Sequence, residues 1–218
     1  MVEGSPPLLA LIALSFGLGL ITFIIVTSTA FMKIAVVLFI VRNALGIQQT
    51  PPNLVLYGIA LALTAFISAP VAEGVVAAVM SSPVDFARFE DWTAALSRAR
   101  EPVQTFLMRF SEETERAFFL DAARQVWPED TAMDAETTDL VTLVPAFMVT
   151  ELRRAFEIGV LIYLPFVTID LIVTTVLMAM GMSMVTPTII STPCKLLLFV
   201  AIDGWSALLQ GLLLSYAM

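Results

Sequence analysis

Residues 8–32, LLALIALSFGLGLITFIIVTSTAFM, form a run of 25 residues that contains no charged side chain. An α-helix of that length rises about 37 Å at 1.5 Å per residue, which exceeds the roughly 30 Å hydrocarbon core of a bilayer. The run belongs to a longer uncharged stretch from Gly4 to Met32. Its length and composition predict a helix that is able to span a membrane.

The composition of the whole chain is also typical of a membrane protein. Of its 218 residues, 59% are hydrophobic and 14% are charged, whereas soluble proteins are about 45–50% apolar and about 25% charged. The net charge of −8 argues against a nucleic-acid partner, because phosphate neutralisation needs clustered Lys and Arg. With no His and only Cys194, the chain lacks the usual metal ligand sets, and we expect no cofactor and no metal site.

The charged residues divide the chain into three segments. Residues 81–142 hold thirteen of the nineteen acidic and six of the eleven basic side chains, a net charge of −7. Apolar segments at 1–80 and 143–218 flank this acidic segment. We therefore predict an all-α, membrane-associated fold. Two apolar helical arms, with about four long helices in hairpins kinked at Pro and Gly, flank a small helical acidic segment.

The first arm begins with a run that is too long for a cleaved signal peptide. Glu3 precedes it, and its apolar character continues past Lys33 to Val41, so we expect it to be retained. A second helix is predicted from about Leu54 to Pro70. Lys33 and Arg42 favour a cytoplasmic first loop, whereas Arg153 and Arg154 flank the other side. With the first loop inside, the acidic segment lies outside.

In the acidic segment, apolar residues from Pro102 to Ala122 mostly recur at intervals of three and four, which predicts one amphipathic helix. We expect this helix to pack on its own subunit. In the second arm, Gly181–Pro187 is the natural break between helices of about 20 residues each.

Several ionisable residues lie inside the apolar arms, where a charge is costly and usually faces a partner or a wet cavity. Three of them, Asp170, Lys195 and Asp203, lie deep in the second arm. Two roles fit them equally: ion ligands of a transporter, or structural pairs between packed helices. Asp170 and Lys195 are offset by three residues about the turn, so we expect them to approach each other. A further cluster comprises Glu151, Arg153, Arg154 and Glu157. Two interpretations of it stay open, anchoring of the side chains at the membrane interface and a functional role.

Four methionines, Met178, Met180, Met182 and Met184, alternate with small or flexible residues around Gly181. Methionine is unbranched and adaptable, so a ring of such side chains is suited to seal a variable opening. Ordinary lipid or core packing is the alternative.

Several motifs resemble, in order and spacing, the FliP/SctR (YscR-like) family of export-apparatus proteins in bacterial type III secretion systems. The second arm carries PAFMVTELRRAFEIG (145–159), LPFVTID (164–170), MAMGM (178–182) and KLLLFVAIDGW (195–205). RNALGIQQTPPN (42–53) is similar to the family's first-loop motif. That motif includes Arg42, Gln48, Gln49, Pro51, Pro52 and Asn53. The absence of a signal peptide favours the injectisome branch.

The resemblance implies a homo-pentamer that assembles with SctS-like and SctT-like subunits and other export-gate membrane proteins in the bacterial inner membrane. It further implies that bent hairpins stand largely on the periplasmic side, that Met182 and Met184 narrow the pore, and that Asp170, Lys195 and Asp203 are buried between subunits. Ser183 interrupts the family's methionine run.

The function predicted from these features is a core pore-forming subunit of an export gate, which conducts unfolded proteins without catalysis of its own. The alternative is an ion or small-molecule transporter that uses Asp170 and Asp203. An enzyme is not expected, because no nucleophile–base pair stands out and the chain has no His. The energy for transport is expected to come from elsewhere, since no phosphate-binding Gly-x-x-x-x-Gly-Lys run is present.

Overall fold

The computed structural model describes residues 8–47, 49–82, 89–128, 136–182 and 184–217. Within these ranges every regular element is an α-helix, which confirms the all-α prediction. The eight helices are α1 (Leu8–Ser28), α2 (Phe31–Ala44), α3 (Asn53–Met80), α4 (Phe89–Phe110), α5 (Glu113–Val126), α6 (Leu140–Ala179), α7 (Thr188–Ala201) and α8 (Gly204–Leu214).

The first arm bends by 75° between α1 and α2. The bend contains neither Pro nor Gly. Thr27 and Thr29 instead donate their hydroxyls to the carbonyls of Phe23 and Ile25, four residues earlier, at 2.9 and 2.5 Å. Hydroxyl groups that compete for helix carbonyls in this way bend helices. The long apolar run is therefore two helices, and its length alone did not predict the break.

Helix α2 lies at the centre of the molecule and packs against α1, α3 and α6. Its buried residues cover somewhat more than half of its circumference, and most of the others are half-buried, as expected of a central helix. The buried residues are Lys33, Ile34, Ala35, Val37, Leu38, Val41, Arg42 and Ala44. One continuous apolar core joins α2 to residues from both arms and from the acidic segment.

The acidic segment folds onto α3 and α6, in agreement with the expected packing on its own chain. Its helical structure differs from the prediction, because α4 begins at Phe89 and a second helix, α5, begins at Glu113. Between them, Arg116 donates to the carbonyls of Met108 and Ser111 at 2.6 and 3.0 Å. These bonds satisfy carbonyls at the end of α4, so the chain turns where the apolar spacing alone predicted a continuous helix.

Helix α6 has 40 residues, twice the predicted length, and begins within the acidic segment, three residues before the predicted start of the second arm. At 1.5 Å per residue it is about 60 Å long, about twice the thickness of a hydrocarbon core. The second half of the hairpin is broken between α7 and α8 by a 61° bend.

That bend is fixed by Asp203 and Gly204. Asp203 has a φ of 51° in the left-handed region. A Cβ on Gly204 would collide with the ring of Phe199, so only glycine fits there.

By length and composition, α3 and α6 are each able to cross a membrane. Each of the two bent helix pairs counts as a further candidate, which gives two to four spans among the described residues.

Candidate functional site: the methionine turn and two charge pairs

The turn between α6 and α7 forms the tip of the hairpin and carries the methionines. Gly181 adopts a φ of +74°, which glycine reaches without a steric penalty. The N–H of Met182 bonds the carbonyl of Leu177 at 2.9 Å, and the N–H of Gly181 bonds that of Met178 at 3.0 Å. This pair of bonds is the Schellman arrangement that ends many helices. The glycine therefore ends α6 and releases the last two methionines into the turn.

All four methionine side chains are exposed in the single chain, and that of Met184 is 99% exposed. A side chain with no neighbour in its own chain is free to contact other copies or other subunits. Ser183, between Met182 and Met184, lies outside the described residues.

Lys195 connects three helices. Its ammonium lies 2.6 Å from Asp170 Oδ2 and donates to the carbonyl of Ala44 at 3.1 Å. The expected approach of Asp170 and Lys195 thus occurs within one chain. The lysine side chain is 7% exposed and the Asp170 side chain 39%. The pair joins the two halves of the hairpin to the end of α2.

The other lysine, Lys33, forms a second pair that the sequence did not reveal. Its ammonium lies 3.1 Å from Glu151 Oε2 and donates a 3.4 Å hydrogen bond to Oε1. The two side chains are 1% and 0% exposed. The ring of Tyr216, two residues before the end of the chain, lies 3.6 Å from Nζ, within the range of a cation–π contact. The sequence feature that pointed to this pair is the single charge of Lys33 within a long apolar run.

Two arginines on α6, Arg153 and Arg154, attach the acidic segment to that helix. Arg153 forms ion pairs with Glu112, and with Glu115 at 3.5 Å. Arg154 donates to the carbonyl of Phe110 at 3.1 Å and contacts Glu151 at 3.4 Å. The arginines thus hold the α4–α5 junction against α6, which is a structural role beyond interfacial anchoring.

Two further charged residues that the sequence singled out, Glu157 and Asp203, are exposed in the single chain. Glu157 contacts Arg153 at 3.6 Å and its side chain is 63% exposed, because it lies on the outer face of α6. Asp203 is exposed at the bend and accepts a hydrogen bond from Ser206 at 3.0 Å. Neither side chain is buried within its own chain, and burial of such charges between subunits stays a prediction.

The first-loop motif is organised by Arg42. Its guanidinium donates to Asn53 Oδ1 at 2.5 Å and to the carbonyl of Pro51 at 3.4 Å, which ties the end of α2 to the start of α3. Gln49 and Pro52 are exposed, and Gln48 lies outside the described residues.

Two glycines allow helices to approach closely around these pairs. A Cβ on Gly46 would lie 2.9 Å from the hydroxyl of Thr192 on α7, and φ at Gly46 is +78°. A Cβ on Gly159 would lie 2.5 Å from Ile40 Cδ1 on α2. The chain therefore needs glycine where the first loop meets α7 and where α2 meets α6.

The chemistry of the arrangement is charge compensation rather than ligand exchange. Each lysine is neutralised by a carboxylate of α6, and Asp170 and Asp203 have different partners. Among the described residues, no group of three or more Cys, Asp or Glu side chains is placed to hold a metal ion.

Comparison with known proteins establishes the family. The model of the FliP family matches residues 14–212. The chain belongs to the FliP family. A probable translocation protein, y4yL, of Sinorhizobium fredii is 53% identical over the whole of this chain and 98% of its own. The Yop proteins translocation protein R of Yersinia pestis is 45% identical over 91% of this chain and 92% of its own.

A third relative, the virulence protein YscR of Salmonella typhimurium, is 45% identical over 96% of this chain and 97% of its own. These similarities confirm the resemblance noted from the motifs and place the chain in the non-flagellar branch of the family. Its relatives are type III secretion export proteins, so type III secretion, protein transport, virulence and membrane helices all apply at the level of the family.

Proposed function

We propose that the chain is a core pore-forming subunit of a type III secretion export gate, which conducts unfolded proteins across the bacterial inner membrane. It acts without catalysis of its own and without a cofactor. Its partners are further copies of itself in a homo-pentamer, SctS-like and SctT-like subunits, other export-gate membrane proteins, and the unfolded substrates. Membership of the FliP family supports this proposal.

The observation that carries the proposal is the exposed apolar surface of the α6–α7 hairpin, with Met184 at its tip. An exposed apolar patch of this extent marks a contact with protein or membrane. Apolar side chains that are at least half exposed continue from the tip along both helices: Val160, Leu161, Leu164, Leu171, Ile172, Val176, Ile189, Leu197 and Val200. Packing of five such hairpins side by side would cover these faces and bring their methionine turns around one axis.

The test of the seal replaces Met182 and Met184 together by Gly. Assembly should stay intact, because neither side chain is buried in its own chain, whereas the inner membrane should become leaky to small solutes. Solute uptake into cells and a native gel of the complex measure the two effects. Replacing Met178 and Met180, which precede the turn on the helix side, provides the matched control. An assembled complex with unchanged permeability would favour ordinary packing.

We further propose that the acidic segment is periplasmic and that much of the assembled protein stands on that side of the inner membrane. The length of α6 supports a large part outside the bilayer, because a helix of about 60 Å extends beyond a 30 Å hydrocarbon core. The basic Lys33 and Arg42 of the first loop favour the periplasmic side for the acidic segment. In a Cys194→Ser background, Ser97→Cys places a thiol at an exposed position of α4. It should react with an impermeant maleimide in intact spheroplasts, and labelling only after lysis would contradict the proposal.

The transporter alternative lacks structural support. It needs Asp170 and Asp203 as joint ligands, yet Asp170 is paired with Lys195, and Asp203 bonds Ser206 at an exposed bend.

A further inference from the structure

A groove that is open to solvent lies between α3 and α4. A Cβ on Gly74 would lie 3.4 Å from Pro102, so the two helices touch beside the groove. Its volume is about 440 Å³, and Pro70, Val71 and Phe106 form apolar parts of its wall. A cavity of about 150 Å³ holds a benzene ring, so this groove has room for a large aromatic side chain and parts of its neighbours. The chain's own α5 packs on α6 and contributes no residue to the groove.

Two charged side chains of α4 lie toward opposite ends of the groove. Glu101 and Arg109 line it, with Thr105 between them, and all three are exposed. Eight residues of helix separate the two charges by about 12 Å, which is too far for them to pair with each other. Neither forms an ion pair within the part of the chain that the structure describes. The groove is therefore apolar between a negative end and a positive end.

The outer face of α5 carries the same elements on a projecting surface. Phe118, near the middle of the helix, is 62% exposed. Glu113 is exposed in the first turn and Arg124 in the last turn. Arg124 contacts Asp121 at 3.6 Å, an exposed pair of the kind that contributes little to stability, and Glu113 has no ion pair among the described residues. An aromatic side chain thus stands between an acidic and a basic end, with no partner for it on α6.

The order of the charges determines how α5 can lie in such a groove. Both α4 and α5 run from an acidic to a basic side chain, so a parallel alignment would place like charges together. An antiparallel alignment brings Arg124 opposite Glu101, and Glu113 opposite Arg109. The two charge spacings, about 12 Å and about 16–17 Å, then differ by about 4–5 Å in total, which the long arginine side chains can cover. In this alignment Phe118 lies over the apolar centre of the groove.

The groove and the outer face of α5 share no residue, so one copy of the chain can offer both at once. A contact between two different surfaces is heterologous, and such contacts close into rings when the rotation between copies allows it. The net charge of −7 on residues 81–142 makes these segments repel each other unless their few cations face carboxylates. The antiparallel alignment provides two such contacts for each interface.

We infer that α5 of one copy docks antiparallel to α4 in the α3–α4 groove of the next copy. Phe118 is the apolar anchor, and the pairs Arg124–Glu101 and Arg109–Glu113 flank it. The inference rests on the proposed homo-pentamer and adds which surfaces of the acidic segment meet. Because Glu113 forms no ion pair with α6, its substitution changes the contact between copies and leaves the attachment of α5 to its own chain unchanged.

Cysteine cross-linking of the assembled complex tests the contact directly. In a Cys194→Ser background, Thr105→Cys lies in the groove, and Ala117→Cys lies at an exposed position beside Phe118. A short bis-maleimide should join the two cysteines between copies and give a ladder of up to five chains on a denaturing gel. The matched control combines Ala117→Cys with Thr93→Cys, which is exposed on the same helix but about 18 Å from position 105, and should give no ladder.

Charge reversal tests the pairing without a cross-linker. Arg109→Glu should lower the association of copies about tenfold, because it places two carboxylates together, and adding Glu113→Arg should restore most of the association. Phe118→Ala should also weaken the oligomer, whereas Phe118→Leu should retain most of it. Val126→Ala, at an exposed apolar position of the same helix, should associate like the unaltered chain. The oligomer fraction on a native gel, measured across a dilution series, gives these differences.

Several outcomes would overturn the inference. An intact oligomer on the native gel without a cross-linked ladder would mean that the copies meet elsewhere, and it would leave the proposed pentamer standing. Cross-linked dimers from Thr105→Cys alone would mean that two α4 helices pair with each other. Loss of an SctS-like or SctT-like subunit in Phe118→Ala, with the contacts between copies intact, would assign the surface to that subunit. Absence of any oligomer of the unaltered chain would overturn the proposed function as well.

Discussion

The two lysines of the chain pair with two carboxylates of the same helix, α6, in very different surroundings. Lys33 and Glu151 are 1% and 0% exposed, and the ring of Tyr216 and the guanidinium of Arg154 complete their surroundings. Lys195 is 7% exposed, while Asp170 keeps 39% of its side chain open. The first pair is enclosed within one chain, whereas the second lies on a hairpin whose apolar surface is uncovered.

Unsatisfied polar atoms do not distinguish the two pairs. Buried atoms without a hydrogen-bond partner of normal geometry are Asp170 Oδ1 and Ser191 Oγ near Lys195, and Glu151 Oε2 and the Tyr216 hydroxyl near Lys33. The difference is therefore one of burial, because both side chains of the Lys33 pair are enclosed in their own chain and Asp170 is partly open. We expect the Lys33 pair to determine whether the chain folds and the Lys195 pair to determine how copies assemble.

The largest effect is expected from Lys33→Met, which leaves the Glu151 carboxylate buried with only Arg154 beside it. Removing one partner of a fully buried ion pair typically costs about 3–5 kcal/mol. Thermal unfolding of the purified chain in neutral detergent, followed by tryptophan fluorescence, measures the loss. Lys33→Met combined with Glu151→Gln should recover much of it, because no charge then stays buried without its partner.

If Lys33→Met destabilises the chain no more than Lys195→Met does, the two ion pairs do not differ in their contribution to folding. A double variant that is as unstable as the sum of the single changes would also contradict the expected coupling of the two side chains.

A smaller effect on the fold, and a larger one on assembly, is expected from the second pair. Asp170→Asn and Lys195→Met should each weaken the complex by about 1–2 kcal/mol, since charged hydrogen bonds contribute up to about 3 kcal/mol and Asp170 is partly exposed. Lys195→Met should be the more severe, because the carbonyl of Ala44 also loses its donor. The oligomer fraction on a native gel is the measurement, with membrane insertion as the control.

Removing Asp170 and Lys195 together should be less harmful than the two single effects added. Strictly additive defects would show that the residues act through separate partners, and Asp203 of a neighbouring copy would then be tested as the partner of Lys195.

The second pair was predictable from the sequence, and the first was not. Asp170 and Lys195 flank one turn, and their offset of three residues follows from helix geometry once Gly181 marks the break. Lys33 and Glu151 are 118 residues apart. Their meeting depends on how α2 packs on α6, including the close approach at Gly159, and no local pattern encodes that packing.

The helix boundaries also divide into those that the sequence predicted and those that it did not. Charge density separated the apolar arms from the acidic segment, and glycine and proline marked the hairpin turn. Two breaks were missed, at Thr29–Ala30 and at Ser111–Glu112, because they depend on side-chain bonds to backbone carbonyls. Thr29 and Arg116 make those bonds, and apolar periodicity contains no information about them.

The smallest effect is expected for the exposed ion pair between Arg153 and Glu112, and it depends on pH. The hydrogen bond from Arg153 holds the pKa of Glu112 below its ordinary value of 4.5. A lowered pKa means that the folded chain favours the carboxylate, so the attachment of the α4–α5 junction to α6 is fully present above about pH 4.5. It weakens as the pH falls through the lowered pKa. Limited proteolysis of the acidic segment across pH 3–7 should show faster cleavage at the lowest pH values.

The variant Glu112→Gln should be cleaved faster near pH 7 and should lose part of the acid dependence. Glu113→Gln, one residue further along, should behave like the unaltered chain. An unchanged profile in Glu112→Gln would mean that the exposed pair with Arg153 does not hold the segment. The attachment would then depend on the Arg154 bond to the carbonyl of Phe110 and on the contacts of the buried pair.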